Sequence, residues 1–238
     1  CQECVLAHAG QRRYSRFPGK QSGMTSDQVH DTPEPQYYWP NKLGRIYLLS
    51  LEDVMGKNGL HAVLNLAKLR HLINNYPPDD LNLGWSFEEM AALNQALDDM
   101  HGPRGGKGLA VRAGRAGLYY VLKDLGAVLG LTDLAFRLLP LPMKIKAGLN
   151  AIADTFNKTS DQIVRVEEVE GHFFYHVDRC PVCWQRTAEE PICHATLGLL
   201  QEGLHWVTSG KNIRVEESLC IAKGDSSCSY IVDRRPLA

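Results

Sequence analysis

The segment DQIVRVEEVEGHFFYHV, residues 161–177, decides the fold because the chain changes there from helical to strand periodicity. Branched and aromatic residues dominate both sides of Glu170-Gly171, which is typical of a β-hairpin with a short turn. A helix of about 15 residues is predicted to begin near Cys193 and to end at Gly210, and strands over 212–219 and 229–232 follow. The sequence therefore predicts a β-β-α-β-β tail.

The residues before this tail are predicted to be helical. Apolar residues recur at helical spacing from Tyr38 onward, and Ser86-Phe87-Glu88-Glu89 has the spacing of a capping box. That helix should stop at Gly102-Pro103, with longer helices over 107–129 and 132–157 after a flexible glycine-rich loop. The predicted fold class is α+β, with a helical N-terminal half followed by the β-β-α-β-β tail.

The chain is predicted to have three parts. Residues 1–37 are polar and interrupted by Gly and Pro, which is typical of a disordered leader. Residues 38–106 form an N-terminal helical part, and residues 107–238 form the domain that carries most of the cysteines. The glycines of residues 102–108 follow a helix rather than a strand, so they do not predict a dinucleotide site.

Composition narrows the classes of function. The chain has 238 residues, 26 basic and 27 acidic, with a net charge of −1, and this balance argues against nucleic acid as a partner. The most apolar stretch, residues 118–139, is interrupted by charged residues, so no membrane span is expected. The N-terminus lacks the apolar core of a signal peptide, so we expect a cytoplasmic protein.

The seven cysteines are unevenly distributed. Cys1 and Cys4 lie in the leader, and five lie close together near the C-terminus: Cys180, Cys183, Cys193, Cys220 and Cys228. Thiolates that converge in a reducing compartment usually hold zinc or an iron–sulfur cluster. Free cysteine is also a frequent core residue, so metal binding and simple burial both remain open.

Glu217 strengthens the metal interpretation. On a strand, its side chain shares a face with apolar residues, and a buried carboxylate is costly unless it is paired or bound to a cation. Glu217 and Cys220 would point to opposite faces of a straight strand. If both bind one ion, the strand must therefore bend or bulge near Ser218-Leu219.

Several motifs of the tail resemble the 4-vinyl reductase-type domain. This family includes a protein of bacteriochlorophyll synthesis, archaeal hydrocarbon-binding proteins and sensor modules of aromatic-responsive activators. The resemblance covers roughly residues 107–235 and includes Gly114-Arg115. The tail motifs that carry it are Pro191-Ile192-Cys193-His194, Gly198-Leu199-Leu200-Gln201-Glu202-Gly203, Val215-Glu216-Glu217-Ser218-Leu219-Cys220, Gly224-Asp225 and Cys228.

The resemblance implies an α+β fold related to transport-particle subunits, usually dimeric, with an apolar cavity between helices and sheet. It also implies a zinc ion held by three cysteines and a glutamate, at the matching positions Cys193, Glu217, Cys220 and Cys228. Cys180 and Cys183 have no counterpart in the sensors. They could replace a ligand, complete a different cluster such as an iron–sulfur centre, or stay free.

The leading functional hypothesis is a stand-alone, metal-stabilised sensor or carrier, which we expect to be a binding protein rather than an enzyme because no catalytic residues are identified. Its ligand would be an apolar, aromatic or tetrapyrrole-like molecule. One alternative is an enzyme or accessory protein in chlorophyll vinyl reduction, and another is an iron–sulfur or thiol redox protein. The side chains expected nearest the ligand are Tyr119, Tyr120, Phe136, His172, Phe173, Tyr175, His176 and Trp206.

Overall fold

The computed structural model describes residues 36–125 and 138–237, so the predicted leader lies almost entirely outside the described residues. The predicted α+β class and β-β-α-β-β tail are confirmed. None of the described helices is long and apolar enough to span a membrane. The elements, apart from two short 3-10 turns, are β1 (Tyr38–Pro40), α1 (Asn41–Leu66), β2 (Leu83–Ser86), α2 (Phe87–Leu125), α3 (Leu141–Thr159), β3 (Ile163–Val169), β4 (His172–Arg179), α4 (His194–Val207), β5 (Ile213–Leu219) and β6 (Cys228–Pro236).

The tail forms a four-stranded antiparallel sheet in the order β3-β4-β6-β5. The hairpin between β3 and β4 turns at Glu170 and Gly171, where the sequence predicted the turn. Both residues have positive φ (49° and 84°). Helix α3 contacts β3 and β6, and α4 contacts β5. The sheet therefore carries two helices, and the cysteines lie where its strands end.

Helix α2 consists of two helical segments that meet at a kink at Gly102, where the first segment was predicted to end. It begins at the predicted capping box, where the Ser86 Oγ accepts the Glu89 N–H at 3.1 Å and Glu89 accepts the Ser86 N–H at 2.9 Å. At Gly102 the backbone leaves helical geometry (φ 70°, ψ 165°), and the helix resumes at Pro103. The expectation of a flexible loop over 102–108 is wrong, because a single glycine makes the break and the following residues are helical.

Two glycines hold α2 and α4 in close contact. A Cβ on Gly114 would lie 2.0 Å from the Ala195 carbonyl oxygen, and a Cβ on Gly198 would lie 2.0 Å from the Val111 carbonyl oxygen. Because both obstacles are backbone atoms, a larger residue cannot be accommodated by rotating a side chain. This contact fixes the N-terminal end of α4, which follows Cys193, against the middle of α2.

Candidate ligand cavity and cysteine cluster

A cavity of about 440 Å³ lies among the helices, within the size range of small-molecule sites. Helices α1, α2, α3 and α4 all contribute to its wall. Most of the lining is apolar, and the Trp39 and Phe156 rings on it are stacked with centroids 5.4 Å apart. Its lining includes Leu43, Ile46, Tyr47, Met90, Ala113, Gly114, Gly117, Leu118, Val121, Ala151, Ile152, Val182, Ala195, Thr196 and Leu199.

Most of the polar side chains on the lining come from the C-terminal half of α3 and from Gln162, and Tyr47 and Thr196 add two more. The Thr155 and Thr159 hydroxyls each donate to a helix carbonyl at 2.7 Å. Gln162 accepts the Trp39 indole N–H at 2.9 Å, and Lys158 lies 3.4 Å from Asp154 in an exposed ion pair. These polar atoms already have protein partners, so the wall favours an apolar ligand.

The side chains predicted to contact a ligand lie elsewhere. Phe173 and Tyr175 are buried in the core, and Tyr119 and His172 are exposed. Tyr120 donates to Asp53, His176 contacts Ser229, and Trp206 is partly exposed. None of these seven is a lining residue of the cavity, and Phe136 lies outside the described residues. Ligand contact by the eight residues stays a prediction.

Sequence reasoning missed the large lining residues as well as several small ones. Ala113, Gly114 and Gly117 recur at helical spacing on α2, and Ala195 lies across from them on α4. A stripe of small residues on an otherwise apolar helix was the available signal, because small side chains leave space between packed helices. The residues predicted from their aromatic character lie instead on β4, near the end of α2 and on α4, apart from Phe136, which is outside the described residues.

The five C-terminal cysteines converge into one buried group, here called the cysteine cluster. Cys193 Sγ lies 3.5 Å from Cys180 Sγ, 3.5 Å from Cys228 Sγ and 3.7 Å from Cys220 Sγ. Cys228 Sγ lies 3.4 Å from Cys183 Sγ and 3.9 Å from Cys220 Sγ. Cys1 and Cys4 lie outside the described residues.

Four elements bring these thiols together. Cys180 and Cys183 lie on the knuckle, residues 180–183, that follows β4. Cys193 immediately precedes α4, Cys220 follows β5, and Cys228 begins β6. The cluster therefore joins the sheet to the N-terminal end of α4.

Glu217 lies beside the cluster. Both of its carboxylate oxygens accept the Cys193 N–H, at 3.0 and 3.1 Å, and its side chain is 4% exposed. The pairing of β5 with β6 shifts register between Glu217 and Leu219, which is the irregularity expected near Ser218-Leu219. Burial, and then the Cys220 thiolate, raise the pKa of Glu217 to about 8.

His194 is the imidazole nearest to Glu217. Its Nδ1 lies 3.7 Å from Glu217 Oε2, too far for a hydrogen bond, and has no hydrogen-bond partner. Burial lowers the pKa of His194 to about 4, so the ring is neutral at pH 7. His194 and Glu217 therefore do not form an ion pair at pH 7.

The donor atoms form two sets, each within 4.8 Å. The four-thiol set is Cys180, Cys183, Cys193 and Cys228, and the mixed set is Cys193, Glu217, Cys220 and Cys228. Four thiolates, or three thiolates and a carboxylate, are donor combinations suited to a tetrahedral metal ion. The sequence-predicted ligands are thus close together, and Cys180 and Cys183 join them.

Arg186 connects the knuckle to α2, a role that sequence reasoning missed. Its side chain, 7% exposed, donates to the Val182 carbonyl at 3.2 Å and to Asp98 at 2.7 Å. A further hydrogen bond reaches Gln95 at 3.0 Å. Because Val182 also lines the cavity, this anchor supports both the knuckle and part of the cavity wall.

Comparison with known proteins identifies the fold. No protein-family model and no curated protein sequence matches the chain. Solved structures of H-NOX proteins do match. One, from a study of haem distortion in the H-NOX family, has 11% identity and a TM-score of 0.52 over 84% of this chain and 97% of its own. The Fe(II) unliganded H-NOX protein from K. algicida has 14% identity and a TM-score of 0.50 over 82% and 95%.

A third structure, a mutant H-NOX domain from Shewanella oneidensis in the Fe(II)CO ligation state, has 13% identity and a TM-score of 0.51 over 79% of this chain and 96% of its own. At such identities the likeness shows a shared fold. The resemblance to 4-vinyl reductase-type domains is wrong, because no family model matches and the matching structures are H-NOX proteins. The prediction of zinc or an iron–sulfur cluster as cofactor is also wrong, since these proteins are described with haem or its iron.

The part of the cavity wall formed by the described residues does not fit haem iron. Haem proteins hold the iron with His, Cys, Met or Tyr, and among the described lining residues Met90 and Tyr47 are the side chains of those types. The Tyr47 hydroxyl donates to Asn94 at 2.8 Å, and burial raises its pKa, which disfavours a tyrosinate ligand. Met90 has no histidine beside it among the described lining residues.

Proposed function

We propose that this chain is a sensor or carrier that binds an apolar small molecule in the cavity among its helices. The observation that carries the proposal is the cavity of about 440 Å³ with a largely apolar wall. Such a cavity binds its ligand mainly by removing apolar surface from water, and a few polar groups orient it. The predicted homodimer and cytoplasmic location stay predictions.

The wall favours a molecule that contains rings. Trp39 and Phe156 offer aromatic surface, and aromatic ligands gain from stacked or edge-to-face contact with such rings. One of the matching H-NOX structures comes from a study of haem distortion, and haem is a tetrapyrrole. A metal-free tetrapyrrole is therefore a reasonable probe, beside simpler phenols and fatty acids.

The second part of the proposal concerns the cysteine cluster, which we assign to metal binding. The Sγ distances of 3.4–3.9 Å are close to the separation of about 3.8 Å expected for thiolates bound tetrahedrally at about 2.3 Å. A thiophilic metal ion there would join the knuckle, the N-terminal end of α4 and the sheet. Its role would be structural, because four protein ligands leave no open position for a substrate.

Ligand binding can be tested with a fluorescent apolar dye and a competition panel. Anilinonaphthalene sulfonate should bind saturably, and a phenol, a fatty acid or a metal-free porphyrin should displace it. Ala151→Phe, which places a ring in the cavity, should weaken dye binding by at least about tenfold, or about 1.4 kcal/mol.

Ala147→Phe is the matched control. Ala147 lies one turn earlier on α3, is also half-buried, and is not a lining residue of the cavity. It should leave dye binding unchanged. Equal loss in both variants, or no saturable binding of any probe by the folded wild-type protein, would exclude the cavity as a ligand site.

A further inference from the structure

We propose that the cysteine cluster and Glu217 bind two thiophilic divalent metal ions, bridged by the thiolates of Cys193 and Cys228. The inference rests on the metal-binding role proposed above and concerns the number and arrangement of the ions. Six side chains take part, one more than the cysteines alone supply.

The first observation is the overlap of the two donor sets. The four-thiol set and the mixed set each contain four donors, and they share Cys193 and Cys228. If those two thiolates bridge, each ion has four ligands and every one of the six side chains is used. A single four-coordinate ion would leave two of the buried donors without metal.

The second observation is the arrangement of the sulfurs. Cys193 and Cys228 are central, because each contacts a knuckle thiol on one side and Cys220 on the other. The two central sulfurs are themselves 3.5 Å apart. That separation suits a shared edge of two tetrahedra, whose edges are about 3.8 Å for metal–sulfur bonds of about 2.3 Å.

The third observation is charge. Once ionised to bind metal, five thiolates and one carboxylate would carry six negative charges, and all five cysteines are buried. Uncompensated charge away from water is costly, and one divalent ion offsets two of the six charges whereas two ions offset four. The imidazole nearest Glu217, His194, lies beyond hydrogen-bond distance and supplies no compensating hydrogen bond.

The arrangement gives each ion a different structural task. The ion in the four-thiol set would join the knuckle to α4 and β6. The ion in the mixed set would join the end of β5 to the same two elements, and it would hold the irregular segment between Glu217 and Cys220. The bridging residues belong to both connections.

The test is the metal capacity of the full chain. Protein stripped with a chelator and kept reduced and anaerobic is titrated with Co²⁺, while absorption reports thiolate ligation and electron paramagnetic resonance reports spin coupling. We expect saturation at two Co²⁺ per chain, with a resonance signal that weakens as the second ion couples to the first through the bridging thiolates. Native mass spectrometry of the Cd²⁺-loaded protein counts the ions independently.

Variants locate the two ions. The Cys180→Ser/Cys183→Ser variant should bind one ion, because the mixed set remains intact. Glu217→Gln should weaken the second ion by at least tenfold and leave the first unchanged. Cys1→Ser/Cys4→Ser is the control and should still bind two ions, which excludes a contribution from the other two cysteines.

The outcomes distinguish the two-ion inference from the metal-binding role on which it rests. Saturation at one ion in the wild-type protein overturns the two-ion inference and leaves the proposed metal-binding role intact. No thiolate-bound ion overturns both. Two ions without spin coupling would also overturn the inference, because the bridges would be missing.

Discussion

The cavity and the cysteine cluster are both buried, but they differ in chemistry. The cavity wall is mostly apolar, and the polar side chains on it named above are already paired with protein groups. The cluster and the adjacent Glu217 instead concentrate six ionisable donors in one place. The cavity is therefore suited to a neutral molecule held by contact area, and the cluster is suited to cations held by a few directed bonds.

The two regions meet at the start of α4. Cys193 belongs to the cluster, and Ala195 and Thr196, which follow closely, line the cavity. On the other side, Val182 lines the cavity from between Cys180 and Cys183. Short backbone segments thus serve two sites with different requirements, so a change at one site should be tested at both.

The largest expected effect comes from removing metal, which tests whether the cysteine cluster holds a structural ion. At a free ion concentration about 1,000-fold above Kd, binding stabilises the fold by about 4 kcal/mol. For a domain of this size that corresponds to a shift in Tm of about 12 °C. Differential scanning calorimetry of loaded and chelator-treated protein measures it, and identical Tm values would argue against a structural ion.

The next effect concerns the helix contact that supports both regions. Gly114→Ala should lower the free energy of unfolding by about 3 kcal/mol, because the added Cβ would lie 2.0 Å from a backbone oxygen. Gly117→Ala is the control on the same helix and also lines the cavity, but its Cβ would lie 3.4 Å from Ser50 Oγ, an ordinary contact. Urea denaturation of both variants should separate them, and equal stabilities would contradict the close contact.

A smaller effect is expected from replacing Arg186, which connects the knuckle to α2. Arg186→Gln should cost about 2 kcal/mol, because it leaves the Asp98 carboxylate and the Val182 carbonyl without a partner. Arg214→Gln is the control, since Arg214 and Glu216 form an exposed pair worth less than about 1 kcal/mol. If Arg186→Gln also weakens dye binding and Arg214→Gln does not, the knuckle supports the cavity wall.

The smallest effect is a dependence on pH that involves neither region directly. Burial, and then the nearby Arg165, lower the pKa of His176 from its usual 6.5, so the unfolded chain takes up a proton at a higher pH than the folded one. The contribution of this residue to stability is present above pH 6.5 and is lost as the pH falls below it. His176→Gln should flatten the dependence of the urea midpoint on pH between about 5 and 7, and an unchanged slope would contradict the lowered pKa.

Sequence reasoning succeeded where the pattern is local. The Glu170-Gly171 turn, the capping box at Ser86 and the helix after Cys193 follow from residues close in the chain. It also predicted an irregular strand near Ser218-Leu219 as the condition for Glu217 and Cys220 to bind one ion, and the register shift supplies that irregularity. These features depend on spacing, and spacing is visible in a sequence.

Sequence reasoning failed where a structural feature depends on elements that are far apart in the chain. The cavity is enclosed by four helices, and its small lining residues look like ordinary helix residues until α4 is placed against Gly114. The role of Arg186 likewise depends on Asp98, far away in the chain. The family resemblance failed for a different reason, because short cysteine and glycine motifs reflect local geometry that unrelated families can share.

The shared start of α4 has a thermodynamic consequence. If an ion at Cys193 changes the affinity of the cavity for its ligand, then that ligand must change the affinity for the ion by the same factor. A molecule seated against Ala195 and Thr196 could thus release or retain metal without touching a single sulfur. The metal affinity of the cluster would then report whether the cavity is occupied.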